Sequence, residues 1–145
     1  MERRSAPEET SFPAAFDFPA LAEGLLRRQP VLGQRLDGVA GEGLGVGLLV
    51  EVLRFLGLVV MAGQRLTPSE AVDRGWHEFI LCTRTYGEFC RRRFGRMVHH
   101  EPGGDEGDNR RQFKETLRLY RAHFGAPPSR FWHDPESPCG ACESG

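Results

Sequence analysis

Residues 66–95 read LTPSEAVDRGWHEFILCTRTYGEFCRRRFG, and this stretch decides the fold. Thr67 is placed to cap a helix, Pro68 suits its first position, and Glu70 at the third completes a capping box. Leu66, just outside, can form a staple with Ala71 or Val72. Behind this start, Val72, Trp76, Phe79, Ile80, Thr83, Tyr86, Cys90 and Phe94 recur at steps of three and four. That spacing puts one apolar stripe on a helix facing a core. Gly95 is suited to end the helix, because glycine adopts the left-handed conformation without a steric penalty.

Working outward, the same signals recur. Upstream, Asp17 and Pro19 open a short helix with Leu21, Leu25 and Leu26 on one side, ending near Gln29–Pro30. The run from Gly33 to Gly47 holds alternating glycines without the strand or the spacing of a phosphate-binding loop, and is expected to be a flexible connection. A long apolar helix follows from about Leu44 to Met61. Downstream, Asn109 is expected to cap a helix carrying Phe113, Leu117, Tyr120 and Phe124, which Gly125 stops and Pro127–Pro128 keep from resuming. No alternating strand pattern and no internal repeat is present. The expected architecture is all-α, a single compact domain of four to five helices over residues 16–133. A disordered segment, 1–15, is expected before it and a flexible Cys/Gly tail, 134–145, after it.

The 145 residues suffice for one domain with a real core. A hydrophobic share of 39% and a charged share of 27% suit a soluble globular chain. The net charge of −1 gives no general pull toward nucleic acid or acidic lipid. Of the 19 basic residues only Lys114 is a lysine, a bias that GC-rich coding would also produce. The run Gly43–Gly63 is long enough to raise a membrane span. However, Glu51 and Arg54 sit near its middle, where each would cost ~2.5–3.5 kcal/mol, and they can pair on one helix face. The run is therefore read as a buried core helix rather than a span. The N-terminus lacks an apolar signal region, so the expected location is cytoplasmic, with thiols reduced.

Candidate chemistry gathers on two short stretches. Asp73 and His77 lie four apart and share a helix face, where a carboxylate can orient an imidazole as a metal ligand or simply fix packing. His99 and His100 follow in FGRMVHHEPGG, residues 94–104. Neighbours in extended chain point opposite ways, so one of the two can meet His77. Asp73, His77 and His99 or His100 could then hold zinc or another divalent metal. The meeting has a condition. From Gly95 back to His77 a straight helix runs roughly 27 Å, while five extended residues reach at most ~18 Å. A break between His77 and Gly95 is required, expected close to Thr85–Gly87. Trp76 and Tyr86 belong to the same cluster, and as buried polar aromatics they need partners that Asp73 or the histidines could supply.

Arg91, Arg92, Arg93 and Arg96 could grip phosphate, which opens an RNA-binding reading, but a helix C-terminus favours cations anyway. Stacking on bases would need exposed aromatics there; Phe89 and Phe94 are the nearby ones and at least Phe94 is expected to be buried, which argues against nucleic acid. Cys90 falls on the apolar stripe, where burial would leave it inert. Cys139 and Cys142 form a lone C-x-x-C without the βαβ setting of a redox pair.

Taken in order, Val72, Asp73, Trp76, His77, Thr83, Tyr86, Phe89, Cys90, Phe94, Gly95, His99, His100 and Pro102 form a V-D-x-x-W-H, T-x-x-Y, F-C, F-G, H-H-x-P series. It resembles the glycine-rich-domain-containing-protein-like family over roughly residues 48–133. The resemblance points to bacterial relatives of uncharacterised role. Plant members, discussed in connection with stress, development and RNA binding, are longer and carry glycine-rich tails that this chain lacks. The expected function is a non-catalytic helical binding module for a protein partner or small ligand, with an Asp73/Trp76/His77/Tyr86 cluster. A divalent-metal protein or metal-dependent enzyme is the alternative, and RNA binding through Arg91–Arg96 a second.

Overall fold

The computed structural model describes residues 16–101 and 103–133, and every described element is helical. The expectations for residues 1–15, for Pro102 and for the tail with Cys139 and Cys142 lie outside the described residues. Among the described residues six α-helices run in order: α1 Phe18–Arg28, α2 Pro30–Ala40, α3 Gly45–Ala62, α4 Glu70–Leu81, α5 Thr83–Phe89 and α6 Glu106–Phe124. A single π-helical turn, Cys90–Phe94, extends α5. The all-α class holds, with one helix more than the four to five expected.

The core is built around α3, against which α1, α2, α4 and α6 all pack. Its Leu48, Leu49, Val52, Leu53, Phe55, Leu56 and Leu58 are each fully buried. Among the described residues α3 is the helix long and apolar enough to cross a membrane, and 56% of it is buried inside the protein. Trp76, Phe79, Phe89, Leu117 and Tyr120 join the same cluster.

The extra helix is α2, where a flexible connection was expected. Pro30 pre-sets its first turn, and Leu32 and Leu36, four apart, are fully buried. Burial of those two leucines outweighs the ~1 kcal/mol that each of Gly33 and Gly38 costs in a helix. The connection itself is only residues 41–44, closed by the Asp37 carboxylate accepting from Gly45 N at 2.7 Å.

Two helix starts also move. α4 is capped by Ser69 rather than Thr67, with Ser69 Oγ accepting from Val72 N at 3.2 Å. The same hydroxyl donates to Phe131 O at 2.5 Å, while Thr67 Oγ1 donates to Gln112 at 2.9 Å. Those distant partners select which of the two capping residues, on either side of Pro68, is used. α6 is capped by Asp105, not Asn109, because the Asp105 carboxylate accepts from Asp108 N.

Gly75 lies where α4 crosses α3. A Cβ there would sit 2.9 Å from the Leu48 side chain and 3.1 Å from Val52. Gly75→Ala is therefore expected to cost about 1–3 kcal/mol by overpacking, despite alanine's better helix propensity. A urea midpoint at or above that of the wild type would show that α3 can move aside.

Candidate functional site

The helix after Ser69 does not run straight to Gly95. Cys82 leaves the helical region (φ −85°, ψ 69°), ends α4 and lets α5 start in a new direction at Thr83. The required break exists, a few residues before the expected Thr85–Gly87. Gly95 then ends the π turn in the left-handed conformation, φ 76°. The chain from Arg96 onward turns back along α4.

Three tethers hold this returning loop. The Tyr86 hydroxyl donates a short hydrogen bond to Val98 O. His100 Nε2 lies 2.7 Å from Asp73 Oδ1. The Arg65 guanidinium donates to Glu101 O at 2.9 Å and Gly103 O at 3.0 Å. With the loop fixed in this way, the two histidines separate. His100 turns inward, its ring 4.4 Å from the Trp76 ring and edge-on to His77 at 5.4 Å between centroids. His99 is exposed. Between the loop and the start of α4 lies an open cleft of about 680 Å³ whose walls include Asp73, Trp76, Arg96, His99 and His100.

The structure thus brings Asp73, Trp76, His77 and His100 together. Tyr86 lies beneath them. Trp76 Nε1 donates to the Tyr86 hydroxyl at 3.0 Å, so these two rings satisfy each other and the Val98 carbonyl, and not Asp73 or the histidines as expected. Among the described residues no group of three or more His, Cys, Asp and Glu side chains is placed to hold a metal ion. The Asp73 oxygen nearest His100 is engaged in the hydrogen bond to it. The hydroxyl of Ser69, which also lines the cleft, is spent on Val72 and Phe131. Burial pushes the Cys90 thiol up from its ordinary value, which leaves it a poor nucleophile.

A second polar cluster escaped the sequence reading. Glu51 is 4% exposed, and its Oε1 accepts from the Tyr120 hydroxyl at 2.5 Å and Trp132 Nε1 at 2.8 Å. Arg54 Nη1 donates to Glu51 Oε2 at 3.2 Å and to the Tyr120 oxygen at 2.9 Å. The Glu51–Arg54 pair was legible from its spacing. The signal that it mattered was a carboxylate in the middle of an apolar helix; its partners 69 and 81 residues away left no trace in the sequence.

Tyr86 and Tyr120 are the chain's two tyrosines. Burial is the main cause that pushes both phenols above the ordinary value of 10.0, and Tyr120 is raised further by donating to Glu51. The folded state therefore holds its phenolic protons where the unfolded chain has begun to lose them. Their contribution to stability is complete below pH 10.0 and falls as pH rises beyond it. Phenolate absorbance is expected to show no step at the ordinary tyrosine value, and to rise together with loss of helical circular dichroism. Titration of either tyrosine in protein that remains helical would contradict this.

A family model described as UCP032817-like matches residues 46–124, more than half of the chain. The chain belongs to the UCP032817-like family. No curated protein and no solved structure matches it. The UCP032817-like region spans α3 to α6 and so includes Glu51, Asp73, Trp76, Tyr86 and His100. It ends at Phe124, before the Phe131–Trp132 segment that completes the Glu51 cluster.

Proposed function

We propose that the chain is a non-catalytic helical binding module whose ligand seat is the cleft beside the Asp73–His100 pair. The observation that carries this reading is the returning segment of residues 96–101, fixed with Gly103 by three tethers so that a cleft of about 680 Å³ stays open against Trp76. A small ligand with polar groups on an apolar body suits such walls, which combine an indole face with imidazole, guanidinium and carboxylate groups. No activated nucleophile accompanies the pair among the described residues, which supports binding over catalysis. The motif order from Val72 to His100 supports kinship with the glycine-rich-domain-containing-protein-like family, and the free thiols of Cys82 and Cys90 fit a cytoplasmic setting. Amide chemical shifts recorded against a library of small polar fragments test the reading. Shifts should gather on Asp73, Trp76 and residues 96–101 and vanish in His99→Ala and Arg96→Ala variants. Shifts gathered elsewhere, or none, would overturn it.

A divalent metal on Asp73, His77 and His100 is the second reading, favoured by the 5.4 Å approach of the two imidazoles beside a carboxylate. Ligation through His100 Nε2 requires Asp73 to release it, since one nitrogen cannot serve both a carboxylate and a metal. Metal content of protein purified without a histidine tag separates the two. Stoichiometric metal that is lost in His77→Ala would establish the second reading, and metal-free protein would leave the pair a hydrogen bond.

A further inference from the structure

One end of the bundle carries a surface outside both the cleft and the Glu51 cluster. Gln29 Nε2 donates to Thr85 Oγ1 at 3.3 Å, and Arg35 Nε to Glu78 Oε1 at 2.5 Å. These contacts set α2 antiparallel to the α4–α5 line, and between them they bracket Val31 and Leu81. Both are large apolar side chains left in water, 53% and 56% exposed.

Five exposed arginines flank this pair along the chain. Arg27 and Arg28 end α1 just before Gln29, and Arg84 follows Leu81 by three residues, across the break at Cys82. Arg91 folds back along α5, its guanidinium 3.1 Å from where a Cβ on Gly87 would stand, and Arg92 is exposed beside it. None of these five makes an ion pair among the described residues, whereas Arg35, Arg110, Arg111 and Arg118 each have a carboxylate partner. Glu23 and Glu88 are the exposed acids interleaved with them, so the surface keeps a positive excess although the whole chain carries −1.

We propose that this surface docks on an anionic membrane, with Leu81 and Val31 entering the headgroup region and the arginines meeting lipid phosphates and carboxylates. Single-stranded nucleic acid fits less well, because it requires aromatic faces beside the cations. Here Phe89 is buried, and Phe94 is stacked on Phe16 at 5.7 Å between ring centroids. A membrane needs no such platforms; it rewards clustered arginines flanked by projecting apolar side chains.

Co-sedimentation of the full chain with phosphatidylcholine vesicles, with and without phosphatidylserine, provides the test. Binding is expected only with phosphatidylserine and should weaken as salt is raised. Arg84→Gln and Arg92→Gln should each lower partitioning about fivefold at low salt. Leu81→Ser should lower the fraction that survives high salt. All three positions are exposed, so circular dichroism should match that of the wild type. Equal sedimentation with both vesicle types, or an Arg84→Gln, Arg92→Gln double variant that binds as well as the wild type, would overturn the proposal. So would single-stranded RNA bound more tightly than phosphatidylserine vesicles at the same salt, which would make the surface a polynucleotide site.

Discussion

Glu51→Ala should lose about 3–5 kcal/mol of stability, the usual cost of removing one partner from a buried ionic cluster. The carboxylate receives hydrogen bonds from Tyr120, Trp132 and Arg54, and it is almost fully buried. Its removal would leave the Trp132 N–H without its acceptor, the Tyr120 hydroxyl without the acceptor it donates to, and a half-buried guanidinium without its counter-charge. Arg54 has little margin, since its Nε is already buried without a hydrogen-bond partner. Glu51→Gln, which keeps an acceptor oxygen for Tyr120 and Trp132 but withdraws the charge, should lose less. Urea unfolding measures both. A Glu51→Ala protein within about 1 kcal/mol of the wild type would mean that water enters the vacated space and satisfies the donors. Because the cluster ties α3 to α6 and to the Phe131–Trp132 segment, Trp132 fluorescence should report early loosening of that segment in the variant.

Trp76→Ala should cost a similar ~3–5 kcal/mol, for a different reason. The indole is 6% exposed and packs edge-on to Phe55 at 5.5 Å between ring centroids. Removing it opens a cavity at the α3–α4 crossing and withdraws the N–H that the Tyr86 hydroxyl accepts. It also removes the face on which His100 rests. Trp76→Phe keeps most of the packing and should lose nearer ~1 kcal/mol, chiefly the hydrogen bond. The pair of variants separates packing from hydrogen bonding. Equal midpoints for Trp76→Ala and wild type would place the indole in solvent. Since domains of this size are stable by only about 5–15 kcal/mol, either alanine variant should be visibly less stable at physiological temperature.

The two predictions differ in how far the sequence foresaw them. Trp76 belonged to a stripe with helical spacing, so its burial was legible. Glu51 was legible only as half of an i,i+3 pair with Arg54. The cleft stands between these cases. A chain-length argument showed that His99 or His100 could reach His77 only across a break, and Cys82 supplies that break. Which histidine turns inward could not be read, because Tyr86 and Arg65 decide it by holding the carbonyls of Val98, Glu101 and Gly103.

By itself the sequence determined the helical class, the apolar faces and most helix ends, including Asp17, Gly95 and Gly125 as terminators or caps. These follow from capping, periodicity and backbone freedom, which act within four residues or fewer. Only the tertiary structure decided that Ser69 rather than Thr67 caps α4, and that a glycine-rich stretch becomes the helix α2. It also decided that Glu51 meets Tyr120 and Trp132. In each case the deciding partner is separated by tens of residues. Local rules leave two options of nearly equal energy, and burial or a hydrogen bond supplied by the packed chain selects between them.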